Sequence, residues 1–186
     1  ERVAAALDFY FDFSSPYGYL AAERIDAFAA KHGRSVTWRP ILLGVVFKTT
    51  GSAPLPTIPL KGDYSRRDFA RSARFHGLPF RMPGVFPVSG VPGSRAFYWL
   101  EGRDSAQAVA FAKALYRALF VDDVNIGDIG NVIRVGESLG IEARALEDGM
   151  NEAATKDRTR MEVEAAIARG VFGSPYIVVD GEPFWG

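Results

Sequence analysis

Cysteine is absent from the 186 residues. That excludes disulfides, a cysteine nucleophile, thiolate metal sites and a Cys-x-x-Cys redox centre. It leaves the redox compartment open, because a chain without cysteine suits either kind. Histidine occurs only twice, at His32 and His76. A His-rich zinc centre is therefore not expected, and a serine hydrolase would have to use one of those two. No sign of charge is in excess: Lys plus Arg is 22 and Asp plus Glu is 22. Nucleic-acid binders draw affinity from surplus Lys and Arg, so this balance argues against one. A long uncharged apolar run is also missing. The first apolar stretch, 3–13, is interrupted by Asp8 and Asp12. A signal-peptide core would be uncharged there, and a spanning helix needs about 20 apolar residues. The expectation is a soluble, cytoplasmic protein with no membrane partner.

The composition that remains is that of a globular chain, with 48% hydrophobic and 24% charged residues. At about 150 residues per domain, the length predicts one domain or one domain with an insertion. No internal repeat or low-complexity segment is visible. Residues 5–13 read as a strand rich in Phe and Tyr. Ser15-Pro16 then marks a helix start, with a hydroxyl at the N-cap and proline at the first helical position. This helix is expected to run to about His32, before Gly33. Residues 35–43 alternate as a second strand, which completes a β-α-β unit. Residues 44–63 hold Pro54, Pro56 and Pro59, and read as a long irregular stretch. Helices are predicted over 64–75, 94–101, 105–120, 128–139, 142–149 and 151–169. Strands return only at the end, in Pro175 to Asp180, an Asp180-Gly181 turn and Pro183 to Trp185. The pattern predicts one sheet built from both ends of the chain, 1–47 and 151–186, around a helical insertion, 48–150.

Two local signals carry chemistry. One is Asp12-Phe13-Ser14-Ser15-Pro16-Tyr17, a serine at a strand-to-helix turn. The other is Gly173-Ser174-Pro175-Tyr176, where proline enters a strand. Each has an ordinary structural meaning on its own, a helix cap and a strand start. A cis Ser174–Pro175 bond would instead turn the Ser174 backbone toward a ligand. Taken together, strand, helix start, strand, helical insertion and proline-led hairpin give the layout of a thioredoxin-like α/β fold.

Here the chain resembles the 2-hydroxychromene-2-carboxylate isomerase family, close to kappa-class glutathione transferases and more distant from the DsbA oxidoreductases. The resemblance rests on Phe9-Tyr10-Phe11-Asp12-Phe13, Ser15-Pro16-Tyr17-x-Tyr19-Leu20-Ala21 and Arg39-Pro40-x-Leu42-Leu43-Gly44. It extends through Pro59-x-Lys61-Gly62-x-Tyr64-x-x-x-Asp68, Gly77-Leu78-Pro79-Phe80, Val171-Phe172-Gly173-x-Pro175 and Phe184-Trp185-Gly186. It implies a glutathione cofactor whose thiol replaces the missing cysteine. Ser15 would hold the thiolate; its place directly before the proline selects it over Ser14. A hydroxyl is a poor nucleophile without a base but a good donor to S⁻, and a helix start favours the anion. Ser174, before Pro175, would pair its backbone with the cysteinyl part of glutathione. Lys61 would meet the glycyl carboxylate, and Ser52 stands where kappa-type relatives carry an Asn. Position 18 is Gly where relatives often have Ser. Relatives also continue past Phe-Trp-Gly with a further helix, so a C-terminus extending beyond Gly186 is expected.

The implied reaction is glutathione-dependent cis–trans isomerisation of a small aromatic carboxylate, by a homodimer without a metal. A kappa-like transferase and a non-catalytic thioredoxin-like binding protein are the rival readings. Asp12 reads as structural or as an ion-pair member. Arg66, Arg67, Arg71 and Arg74 form a basic stripe, either a solvated face or an attraction for a carboxylate. Met82-Pro83, Phe86, Phe97, Tyr98 and Trp99 read as core or as the lining of an aromatic pocket.

Overall fold

The computed structural model describes residues 4–186. Residues 1–3, which the expected 1–47 unit includes, lie outside the described residues. Strand β1 (Leu7–Phe11) points successive side chains to opposite faces, and both faces are covered. Leu7, Phe9 and Phe11 face one side. There Phe9 and Phe11 stack at 4.9 Å, and both meet the edge of Trp38, at 5.0 and 5.3 Å. Asp8 and Tyr10 face the other side.

Helices α1 (Pro16–Ala22) and α2 (Ile25–Lys31) lead to β2 (Val36–Pro40), which pairs parallel with β1 from Leu7↔Val36 to Phe11↔Pro40. At the other end of the chain, β3 (Tyr176–Val179) runs antiparallel to β1, with Phe9 opposite Ile177. The sheet order is β2-β1-β3-β4, with β4 (Glu182–Trp185) on the edge. Asp180 and Gly181 make the turn between β3 and β4 at φ 51° and 85°. A type I′ two-residue turn needs both central residues at positive φ, and Asp-Gly is suited to that. The strand-like runs at the two ends of the chain thus form one sheet.

Between β2 and the last strands the described chain is helical: α3 (Leu43–Thr50), a 3-10 turn (Leu55–Thr57), α4 (Lys61–Phe75), α5 (Val91–Glu101), α6 (Ser105–Phe120), α7 (Ile129–Ser138), α8 (Ala143–Asn151) and α9 (Ala153–Ala168). Side chains cap three of them: Asp104 accepts from Gln107 N–H, Asp128 from Asn131 N–H and Glu142 from Ala145 N–H. Helices α5 and α6 cover the Phe9/Phe11 face, with Phe97 and Tyr116 against Phe11. Helix α9 covers the opposite face, where Tyr10, Tyr176, Val178 and Ala166 form a second buried cluster. The result is a sheet with helices on both faces, each face burying its apolar side chains.

Two expectations need correction. The first helix does not run unbroken to His32. It breaks at Glu23–Arg24, where Arg24 has φ −122°. Glu23 accepts two bonds there from Arg117 of α6, and the re-aimed α2 buries Ile25 and Ala29. Nor is 44–63 irregular throughout, because α3 occupies its first part. The helix-breaking prolines begin only at Pro54, and Gly51 at φ 72° ends α3 before them. Of the two readings open for Phe97 and Tyr98, core is the one the structure shows, at 1% and 3% exposed.

Candidate active site

The turn from β1 into α1 brings Ser15 against the segment that enters β3. Ser15 is the N-cap of α1, with extended backbone, and its Oγ accepts the Gly18 N–H at 2.9 Å. The same hydroxyl donates to the Ser174 carbonyl at 3.1 Å. The Ser174–Pro175 bond is cis. Ser174 turns its own side chain inward, where Oγ accepts the Asp12 N–H at 3.0 Å. Behind it, the buried Tyr116 donates from its hydroxyl to the Asp12 carbonyl at 2.7 Å. Gly18 leaves room for this group. A Cβ there would lie 2.5 Å from the Tyr116 hydroxyl and 2.8 Å from Ser174 Oγ.

Ser14 faces elsewhere. Its Oγ accepts the Val88 N–H at 3.0 Å. Asp12 is structural: its carboxylate accepts the Ser14 N–H at 2.7 Å and the Leu43 N–H at 2.8 Å, and it forms no ion pair among the described residues. Burial pushes the Asp12 carboxyl up from its ordinary range, against the pull of those two N–H groups. Burial likewise pushes the Tyr116 phenol up, and the charge of Asp12 adds to it. Tyr17, two residues after Ser15, packs edge-on against Phe69 at 4.8 Å and donates to Asp68. That bond, with help from Arg71, holds the Asp68 carboxyl below its ordinary value despite some burial. It also ties α1 to α4.

Of the residues expected at the site, the fold brings Ser15, Ser174 and Pro175 together. Ser52, on the segment after α3, and Lys61, at the start of α4, are exposed, without a hydrogen bond to Ser15 or Ser174. Lys61 opens α4, and its ammonium forms no ion pair among the described residues. Arg66, Arg67, Arg71 and Arg74 are exposed on α4, with Arg71 paired to Asp68 and lying over Tyr64. His32 and His76 lie away from Ser15, whose hydroxyl meets only backbone groups. Tyr116 was not legible in the sequence, since nothing in Ala114-Leu115-Tyr116-Arg117 marks it as a neighbour of residue 12. Tyr17 and Asp68 both stand in the quoted motifs, but their pairing across 51 positions needed the fold.

A mixed sheet flanked by helices, with the side chain at the first helix start facing a cis-proline segment, defines a thioredoxin-like protein. In this one that side chain is a hydroxyl. The family description DSBA-like thioredoxin domain matches residues 6–186. The chain belongs to that family and, within it, to the 2-hydroxychromene-2-carboxylate isomerases. It is 30% identical to the 2-hydroxychromene-2-carboxylate isomerase of Pseudomonas putida, over 97% of this chain and 88% of the relative. The solved structure of a selenomethionine 2-hydroxychromene-2-carboxylate isomerase superposes with a TM-score of 0.86 at 29% identity, again covering 97% and 88%. Glutathione S-transferase kappa 2 of Caenorhabditis elegans is 26% identical over 93% of this chain and 80% of its own. Among the described residues no helix is long and apolar enough to cross a membrane, and no three metal-binding side chains cluster.

Proposed function

We propose that the protein is a glutathione-dependent cis–trans isomerase of 2-hydroxychromene-2-carboxylate-type aromatic acids, with Ser15 as the partner of the thiolate. The observation that carries this reading is the Ser15 hydroxyl, set at a helix start against the Ser174 backbone in a chain that has no thiol of its own. The residues present fit glutathione. Ser174 N–H finds no acceptor among the described residues, so the backbone before Pro175 can pair with an extended peptide. The Tyr17 N–H, at the first turn of α1, is likewise without an internal acceptor and suits an anion. In this reading the Lys61 ammonium meets a carboxylate of glutathione, and Ser52 donates from the neighbouring loop. Bound glutathione supplies a thiolate that adds reversibly to a conjugated carbon, so that a double bond becomes a single bond free to rotate. What Ser15 contributes is a hydrogen bond that is stronger to S⁻ than to SH, which lowers the thiol pKa. The exposed arginines of α4 are the candidates for attracting the substrate carboxylate. A homodimer in the cytoplasm belongs to the same reading.

The relationship to kappa transferases supports one rival, in which glutathione is consumed by conjugation. Calorimetric titration with glutathione, followed by turnover of a 2-hydroxychromene-2-carboxylate with total glutathione assayed, separates the cases. The proposal expects saturable binding and a trans product with total free glutathione unchanged. Stoichiometric loss of glutathione would establish the transferase instead, and absence of binding would establish a non-catalytic protein.

A further inference from the structure

A serine hydroxyl has one proton to donate and an oxygen that accepts. Both capacities of Ser15 are used within the chain. Its oxygen accepts from Gly18 N–H at 2.9 Å, and its proton goes to the Ser174 carbonyl at 3.1 Å. To serve a thiolate, that proton has to leave the carbonyl. A partly buried carbonyl stripped of its donor is unfavourable, so a compensating donor is needed. The surroundings limit where it can come from. Ser174 Oγ is committed to the Asp12 N–H, and Tyr116 donates to the Asp12 carbonyl. Among the described residues the Ser15 hydroxyl is the one donor that reaches Ser174 O. Ser174 is only half-buried, so water can reach this carbonyl before a ligand binds; once a ligand displaces that water, the donor comes with the ligand.

We infer, resting on the function proposed above, that the site activates only thiols that bring their own amide donor. The ligand N–H satisfies the Ser174 carbonyl, so the Ser15 proton can turn to sulfur without leaving that oxygen unpaired. The Ser15 oxygen keeps its bond to Gly18 N–H throughout, so the helix cap is retained and only the hydroxyl proton swings about the Cβ–Oγ bond. The proton lost by the thiol leaves to solvent, and no covalent bond other than S–H breaks. Recognition of the peptide backbone and ionisation of the thiol become one coupled event. The ligand class is a cysteinyl peptide with a free amide N–H at cysteine; simple alkyl thiols are excluded.

The test compares glutathione with its analogue N-methylated at the cysteinyl amide, each at saturation, by thiolate absorbance against pH. The wild-type protein is expected to lower the glutathione pKa by about one to two pH units, the worth of one hydrogen bond to a charged group. The N-methyl analogue should stay within about half a unit of its value in water, since its amide cannot free Ser15. Ser15→Ala should erase the difference between the two. Equal lowering of both pKa values in the wild type overturns the exchange while leaving the thiolate role of Ser15 standing. A bound glutathione that ionises as it does in water overturns that role and the exchange with it. S-methylglutathione gives a second readout that needs no ionisation. Ser15→Ala, with its Ser174 carbonyl uncontested, should bind it as tightly as wild type or up to about tenfold more tightly. Weaker binding by Ser15→Ala overturns the inference.

Discussion

Gly18 and Ser174 have to be understood together. The serine side chain and the Tyr116 hydroxyl fill the space a Cβ at position 18 would need, at 2.8 and 2.5 Å. Alanine is the better helix former by about 1 kcal/mol, but forcing atoms into a packed interior costs typically about 1–3 kcal/mol. The clash also involves two hydrogen-bonded groups, so it outweighs the propensity gain. Gly18→Ala is expected to lower unfolding stability in urea by about 1–2 kcal/mol, and adding Ser174→Ala should restore part of it. A Gly18→Ala protein as stable as wild type would show that the contact is looser than described. At this scale the sequence was informative about Ser15, because a hydroxyl before proline at a helix start has a local signature. It was silent about Tyr116 and about the direction of the Ser174 side chain, which depend on elements roughly a hundred or more residues apart in the chain.

The elements are joined by charge as well as by packing. Asp8 of β1 accepts from Arg39 of β2 at 2.8 Å and from Arg169, just after α9, at 2.7 Å. Arg39 also reaches Glu162 on α9, and Tyr10 lies beneath both arginines. Burial pushes the Asp8 carboxyl up, but the bonds from Arg169 and Arg39 outweigh it and hold the group below its ordinary value of 3.8. A carboxylate with a lowered folded pKa contributes stability that is complete above the unfolded value and is lost as pH falls through the folded one. Asp8→Asn should therefore cost about 1–3 kcal/mol near neutrality and flatten the loss of stability below about pH 4. An unchanged acid limb in a pH series of urea melts would count against this network. Helix α6 and the Asp180-Gly181 hairpin were legible because each carries a cap or turn residue of definite geometry. The break at Glu23–Arg24 was not, since it is fixed by a partner on α6. Helix α3 was hidden by prolines that lie beyond its end.

On the scale of the whole molecule, Phe11 belongs equally to the sheet and to the helices packed on it, with Trp38, Phe97 and Tyr116 around its ring. One buried cluster runs from Leu7 to Met150. We propose the division into 1–47 with 151–186 and a helical insertion, 48–150, as a description of chain layout, with folding shared across it. Unfolding should be a single transition, coincident by far-ultraviolet dichroism and tryptophan fluorescence, and Phe11→Ala should lower stability by about 3–5 kcal/mol. Two separated transitions would mean that the helical segment folds alone. The proposed function rests on a smaller unit, the Ser15 hydroxyl at the start of α1. The most direct measurement is the pKa of bound glutathione in wild type, Ser14→Ala and Ser15→Ala. Ser14 is turned to Val88 N–H, so its loss should leave the bound pKa where wild type has it. Ser15→Ala should raise it by about one to two units toward the value in water. A bound pKa that moves with Ser14→Ala and stays fixed with Ser15→Ala would contradict the account.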